Sequence, residues 1–216
     1  VTLEPCSHFG RTPPCAQALI KAGVKRVIAA MVDPNPEVSG RGFDLLIAKG
    51  IRVASGLLEA QARGLNPGFI KRMASQRPWV RIKMAISVDG RTAMHSGESQ
   101  WITGPAARSD VQRYRAQSSA VMTGIGTLIE DDALLTVRAE QLVLPECAND
   151  DSDLKGVVDL IVENQPLRVV LDSQAKMSRN AKVLSHKTPI LWVISEDCAM
   201  NESAKIISQL GHVEVW

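Results

Sequence analysis

The chain of 216 residues is long enough to bury one large hydrophobic core or two modest ones, and its composition, 45% hydrophobic and 22% charged, argues against disorder. It has no apolar run near the roughly 18 residues of a membrane span, and its first residues lack the basic-then-apolar pattern of a signal sequence, so we expect a cytoplasmic protein without a membrane partner. The net charge of +2 is uneven: residues 1–83 carry 13 Lys and Arg against 5 Asp and Glu, whereas residues 140–165 carry 7 acids and one Lys. An anionic ligand is therefore expected in the first part of the chain.

Short β-branched runs alternate with helical stretches from residue 1 to about 66. The pattern predicts strands at 1–3, 26–31 and 51–54, and helices at 16–21 and 43–48. Such alternation favours a sheet covered by helices. Because the first strand begins at residue 1 and the chain stops on an apolar strand, we expect the sequence to be incomplete at both ends.

A polar stretch at 74–78 predicts a domain boundary, which gives domains at 1–75 and 76–216. The second domain also alternates, and residues 140–165 are expected to form an exposed insertion. Its predicted strands are 79–86, 120–123, 168–171, 190–194 and 213–215, and its predicted helices are 105–117, a short one after a turn at 124–126, and 203–210.

Two cysteines lie nine positions apart in Pro5-Cys6-Ser7-His8-Phe9-Gly10-Arg11-Thr12-Pro13-Pro14-Cys15, and Cys15 opens a helix. A helix N-terminus stabilises a thiolate, and Zn²⁺ prefers thiolate and imidazole ligands. Zinc deaminases of bases carry H-x-E followed by P-C-x-x-C, and here the second half is present in a stretched form. The pair predicts a zinc site. The alternatives are two buried apolar cysteines, or a site with His8 as third ligand, although His8 follows Cys6 too closely to suit that role.

In the second domain, the runs 83–93 and 97–103 indicate a strand that leads into a polar loop. Ala85 is small enough to let a flat ring approach the backbone, and Trp101 could close over that ring. Thr123-Gly124-Ile125-Gly126-Thr127 could bind a diphosphate through backbone donors at a helix start. Each stretch alone is equally typical of an ordinary surface loop.

Together these segments, which extend in the same order from residue 2 to Ser173, resemble the RibD family of bifunctional riboflavin biosynthesis deaminase/reductases. The resemblance implies the C-terminal part of a cytidine-deaminase-like α/β/α domain, followed by a truncated dihydrofolate-reductase-like α/β domain, with Zn²⁺ and NADPH as cofactors. It implies deamination of 2,5-diamino-6-ribosylamino-4(3H)-pyrimidinone 5′-phosphate and NADPH-dependent reduction of 5-amino-6-(5-phosphoribosylamino)uracil. The implied partners are this pyrimidine ribotide phosphate and a second copy of the chain in a homo-oligomer, with no nucleic acid.

The same resemblance implies roles for individual residues. Cys6 and Cys15 would be zinc ligands, and His8 and Arg11 would contact the deaminase substrate. NADPH would contact Ala85, Trp101, Thr127, Asp131 and Ser173. The ribose phosphate of the reductase substrate would contact Ser99, Arg115, Leu135 and Arg138. Arginine is the residue type that binds a phosphate dianion through two parallel hydrogen bonds.

The sequence also departs from the family. The family's His-Ala-Glu motif, which supplies the third zinc ligand and the proton-shuttling Glu, has no counterpart, so the catalytic residues of deamination are expected upstream of Val1 and the chain alone should not deaminate. The family's C-terminal Glu and Gly-rich loop would lie beyond Trp216, which predicts weak cofactor binding. Two other interpretations stay open: a nucleoside or tRNA deaminase with an unrelated extension, and a non-enzymatic or decayed zinc-binding protein.

Overall fold

The computed structural model describes residues 1–143 and 151–216, with side chains for all of these except 151–154. The chain divides into two compact units, Val1–Ile82 and Lys83–Trp216. The strand pairs of both units are parallel, which confirms the α/β class predicted from the alternation of strands and helices. No helix in this described part of the chain is both long and apolar enough to cross a membrane.

The first unit pairs two short parallel strands under helices. Its elements are α1 (Cys15–Lys21), β1 (Arg26–Ala29), α2 (Arg41–Ala48), β2 (Arg52–Ser55), α3 (Glu59–Leu65) and α4 (Pro67–Ser75). The core between the strands and the first two helices consists of Ala16, Val27, Leu46 and Ile51. The predicted strand at 1–3 is not formed as such, although the Val1 carbonyl accepts from Ala30 N–H at 2.9 Å. The N-terminal segment therefore lies beside β1 without a regular ladder.

The second unit contains a four-stranded parallel sheet in the order β3-β4-β5-β6, so each strand lies beside the next one in the sequence. Its elements are α5 (Pro105–Ala116), β3 (Ala120–Gly124), α6 (Ile125–Asp131), α7 (Asp151–Glu163), β4 (Leu167–Leu171), β5 (Ile190–Val193), α8 (Glu202–Ser208) and β6 (Val213–Val215). Trp192, Ile190 and Val170 lie at the centre of its core. Pro105 occupies the first turn of α5, and the Asn201 side chain caps α8 by accepting from Ala204 N–H.

Two sequence predictions for the predicted second domain, 76–216, are wrong in detail. Residues 79–86 do not form a strand: their apolar side chains, among them Val80 and Ile82, are exposed, and a strand needs a bonded neighbour to be stable. The expected turn at 124–126 is replaced by a direct passage from β3 into α6. The expected exposed insertion at 140–165 contains α7, whose residues 155–163 are exposed or half-buried, while 144–150 lie outside the described residues.

Arg168 of β4 is a fully buried cation that holds loops together inside this unit. Its guanidinium donates to the carbonyls of Val183, His186 and Thr188, and it approaches the Leu134 carbonyl at 3.5 Å. Burial lowers the pKa of Arg168 to about 10. These contacts fix the chain just before the loop at 135–138, which carries two of the predicted substrate contacts.

Candidate active site

The two predicted zinc ligands lie next to each other in the first unit. The Cys15 N–H donates to Cys6 Sγ at 3.3 Å, and the Ala16 N–H donates to the Cys6 carbonyl at 3.1 Å. A hydrogen bond with the Cys6 thiol, its charge and burial together raise the pKa of the Cys15 thiol, as expected of two thiols in contact. Neither cysteine is in a disulfide. Adjacent sulfur donors on a loop and a helix start suit Zn²⁺.

The backbone before these cysteines is anchored by Glu4, a buried carboxylate. Its two oxygens accept from the backbone N–H groups of Asp33, Gly40, Gly42 and Phe43, at 3.2, 3.0, 2.9 and 3.4 Å. Three of these donors belong to the start of α2, where a negative charge is stabilised by unpaired amides and the helix dipole. Gly42 is required here for space, because a Cβ added to it would overlap the Pro5 carbonyl oxygen.

The other predicted deaminase residues are not brought to the thiols. His8 and Arg11 lie on the exposed outer part of the loop. In residues 1–143 and 155–216, no group of three His, Cys, Asp or Glu side chains is placed to hold a metal ion. The described residues thus fit two zinc ligands of the implied three, and His8 does not complete the set.

An open cleft of about 800 Å³ lies in the second unit. It is lined by residues of the loop at 93–101 and by one side of α6, and among them are Ser99, Trp101, Thr127 and Asp131. Four of the predicted NADPH and substrate contacts therefore share one cavity, whose volume is in the range of ligand sites. Ala85 does not line this cleft.

Ser173 does not line the cleft, but the strand register places it at the same edge of the sheet as the start of α6. Gly124 at the end of β3 pairs with Leu171 at the end of β4, so Ser173 and the start of α6 extend from the same edge of the sheet. Ligands of parallel α/β sheets bind outside the carboxyl ends of the strands. Ser173 is thus at the appropriate edge of the sheet for a ligand held in the cleft.

The Trp101 ring is exposed, and a cation covers one of its faces. The guanidinium carbon of Arg108, on α5, lies 4.4 Å from the centre of the Trp101 ring, and Arg108 Nη1 donates to the Thr103 carbonyl at 2.7 Å. Stacking of this kind contributes about 0.5–1 kcal/mol at an exposed site. Arg108 therefore orients the ring at the rim of the cleft, a role that was not predicted from the sequence.

The two predicted phosphate ligands of the second unit form a pair of neighbouring cations. Arg115 Nη1 donates to the Thr136 carbonyl at 2.9 Å, which places α5 against the loop that carries Arg138. Burial, and then the charge of Arg138, lower the pKa of Arg115. Within the described part of the chain, no carboxylate oxygen lies within 4.0 Å of either guanidinium. Leu135 is buried in the core, so only its backbone could meet a ligand.

The model of the RibD C-terminal domain matches residues 78–215 of the chain. The chain belongs to this family. The RibD resemblance predicted from the sequence is therefore confirmed.

Curated relatives carry the name riboflavin biosynthesis protein RibD. That of Haemophilus influenzae is 50% identical over 197 residues, which cover 91% of this chain and 50% of the relative. That of Escherichia coli is 51% identical over 178 residues, which cover 82% of this chain and 46% of the relative. The chain thus spans about half the length of these RibD relatives.

Solved RibD structures agree with the fold of nearly the whole chain. Acinetobacter baumannii RibD, form 1, is 41% identical with a TM-score of 0.76, and the match covers 99% of this chain and 61% of that one. A protein of Thermotoga maritima, described as a diaminohydroxyphosphoribosylaminopyrimidine deaminase/5-amino-6-(5-phosphoribosylamino)uracil reductase, is 31% identical with a TM-score of 0.73, and the match covers 99% of this chain and 60% of that one.

Proposed function

We propose that the second unit is the reductase of riboflavin biosynthesis, which binds 5-amino-6-(5-phosphoribosylamino)uracil and reduces its ribosyl side chain with NADPH. The observation that carries this proposal is the pair Arg115 and Arg138, two adjacent cations without a described carboxylate partner. A phosphate dianion would neutralise this pair through the parallel hydrogen bonds that arginine favours. Membership of the RibD family supports the identity of the substrate.

The cleft would hold NADPH next to that phosphate site. Arg108, which supports Trp101, precedes Arg115 on α5 by seven residues, or about 10 Å along the helix axis. Asp131 of the cleft precedes Leu135 by four residues, a distance of at most about 14 Å even for an extended chain. The cleft and the arginine pair are therefore within the length of one dinucleotide and its substrate.

The chain's own residues would orient the two ligands and keep them in place. Trp101 offers an aromatic face to a flat ring, and Thr127 and Asp131 offer polar groups to sugar hydroxyls. When bound, NADPH supplies the hydride. Holding the sugar at a fixed distance lowers the barrier without an acid–base pair, since proximity alone is worth several kcal/mol.

We further propose that the first unit contributes Cys6 and Cys15 to the zinc site of a pyrimidine deaminase that acts on 2,5-diamino-6-ribosylamino-4(3H)-pyrimidinone 5′-phosphate. When bound, zinc would supply the Lewis acid that polarises water. Glu4 cannot act as the proton-shuttling carboxylate, because both its oxygens are occupied by backbone amides. His8 and Arg11 would reach the substrate from the exposed side of the loop. The cytoplasmic location and the homo-oligomer stay predictions.

The reductase proposal is tested by NADPH binding, followed by calorimetric titration. Trp101→Leu should abolish or strongly weaken binding. Trp79→Leu is the matched control, because Trp79 is also exposed but lies in the first unit. If both variants bind NADPH as the wild type does, the cleft is not the cofactor site.

The deaminase proposal is tested separately by metal content. Wild type equilibrated with zinc should bind more of it than Cys15→Ser equilibrated in the same buffer. A chain that releases ammonia from the diaminopyrimidinone ribotide without any further polypeptide would contradict the expectation that the general acid–base lies elsewhere. Equal zinc content in wild type and Cys15→Ser would remove the cysteine pair from the metal site.

A further inference from the structure

Two glutamines hold Arg138 in place through neutral amides. Gln112 is a buried residue of α5, and its Oε1 accepts from the Arg138 N–H at 3.1 Å. Its Nε2 donates to Gln141 Oε1 at 3.2 Å, and the same Gln141 oxygen accepts from Arg138 Nη1 at 3.3 Å. The three side chains form a closed ring that fixes both the backbone and the guanidinium of Arg138.

The ring lies on the same side of α5 as Arg115. Gln112 and Arg115 are three residues apart, which places them on one face of the helix. Gln112 and Arg115 both form hydrogen bonds to the loop at 136–138. The Gln165 amide also holds this loop: its Oε1 accepts from Val137 N–H at 2.7 Å, and its Nε2 donates to the Val137 carbonyl at 3.1 Å. Two like charges are therefore kept together by contacts that are themselves uncharged.

Arg115 and Arg138 are half-buried, and charges removed from water are usually compensated by an opposite charge, because an unpaired buried charge is costly. A Glu in place of Gln141, whose oxygen already accepts from Arg138 Nη1, would form that ion pair and stabilise the free protein. The same ion pair would remove the positive charge that an anionic ligand needs. A neutral amide gives the position of Arg138 without cancelling its charge.

We infer that Gln112 and Gln141 are positioning residues for the phosphate of the ligand: their amides fix Arg138 beside Arg115 and leave the charge of the pair free for the phosphate. This inference rests on the proposed function of the arginine pair. Neither glutamine needs to touch the ligand.

The test is calorimetric titration of the chain with ribose 5-phosphate and, in parallel, with ribose. Gln141→Glu is the sharpest variant, because a carboxylate oxygen can keep both hydrogen bonds that the amide oxygen accepts and only the charge changes. The Gln141→Glu variant should bind ribose 5-phosphate about tenfold to a hundredfold more weakly, which corresponds to one lost hydrogen bond to a charged group. Its melting temperature should not fall. Gln112→Leu removes the acceptor of the Arg138 backbone N–H and should also weaken the binding of ribose 5-phosphate. Binding of ribose should not change in either variant.

Gln117→Glu is the matched control, since Gln117 is an exposed residue at the end of α5 and the substitution adds the same charge. It should bind ribose 5-phosphate as the wild type does. If Arg138→Ala loses the phosphate ligand while Gln141→Glu and Gln112→Leu retain it, the positioning role is wrong and the proposed function stands. If the wild type, Arg115→Ala and Arg138→Ala bind ribose 5-phosphate and ribose alike, the phosphate site itself is wrong. An equal loss of ribose and ribose 5-phosphate in the glutamine variants would show a merely structural role.

Discussion

Replacing Glu4 by Gln should destabilise the first unit, because a buried carboxylate that accepts from four backbone amides becomes a group with one acceptor and one donor. The new NH₂ would face the amides of one pair, either Asp33 and Gly40 or Gly42 and Phe43. Two charge-assisted hydrogen bonds are then lost, each worth about 1.5–3 kcal/mol. The favourable interaction with the start of α2, about 0.3–1 kcal/mol, is lost as well.

Part of this loss is offset, since a neutral amide costs less to bury than a carboxylate. We therefore expect the free energy of unfolding to fall by about 3 kcal/mol, at the upper end of single substitutions. Urea unfolding followed by far-UV circular dichroism measures that value, and hydrogen exchange of the Gly40 and Gly42 amides locates the effect. Zinc affinity should fall too, because Glu4 fixes the chain two residues before Cys6.

Glu37→Gln is the control for this prediction, because Glu37 is an exposed carboxylate in the segment just before α2. Removing its charge should change the free energy of unfolding by less than about 0.5 kcal/mol. If Glu4→Gln unfolds at the same urea concentration as Glu37→Gln, the four amides do not depend on the carboxylate. The proposed link between this anchor and the metal loop would then be wrong.

Three further outcomes are expected. Gly42→Ala should lower the melting temperature, since overpacking costs about 1–3 kcal/mol, whereas Gly64→Ala in α3, with nothing within 4 Å of the added Cβ, should raise it. Arg168→Leu should lower the free energy of unfolding, measured in urea, by several kcal/mol. Each carbonyl that accepts from Arg168 then loses its partner, at about 1–3 kcal/mol, and the sum exceeds the gain from no longer burying a charge. The backbone N–H and the ammonium of Lys182 lower the pKa of Asp132. The Asp132 carboxylate therefore stabilises the fold at pH values above its unfolded pKa of 3.8, and this stabilisation is lost as the pH falls through the lowered pKa. Thermal unfolding of Asp132→Asn should therefore differ from wild type at neutral pH and coincide with it in strong acid.

Local patterns of the sequence were sufficient for the α/β class. The strands 120–124, 167–171, 190–193 and 213–215 lie within a residue of their predicted bounds, because each is a short apolar run between turn signals. The segment 79–86 has an equally good pattern and is not a strand, since pairing depends on a neighbour that a pattern does not contain. Helices α3 and α4 were missed because they bury little: only Ala62 is buried in α3 and none in α4.

The site shows the same limit. Cys6 and Cys15 could be recognised together because both belong to one loop of ten residues with proline and a helix start. Gln112 could not be recognised, because its partners Arg138 and Gln141 are 26 and 29 residues away and depend on how α5 packs on a later loop. Arg108 was missed for a similar reason, since its contact with Trp101 depends on a loop conformation. The sequence showed only a Gln three residues before Arg115, and a Gln at that position does not by itself indicate a hydrogen bond to an arginine.

Helix α5 carries Arg108 near its start and Arg115 near its end, so the support of the aromatic ring in the cleft and the support of the proposed phosphate site are parts of one element of 12 residues. A tilt of this helix would move both supports at once. A ligand that orders one end would therefore favour the ordered state of the other, and thermodynamic linkage requires the effect to be the same in both directions. The binding of a dinucleotide in the cleft and of a sugar phosphate at the arginine pair would then be cooperative, because both depend on the position of one helix.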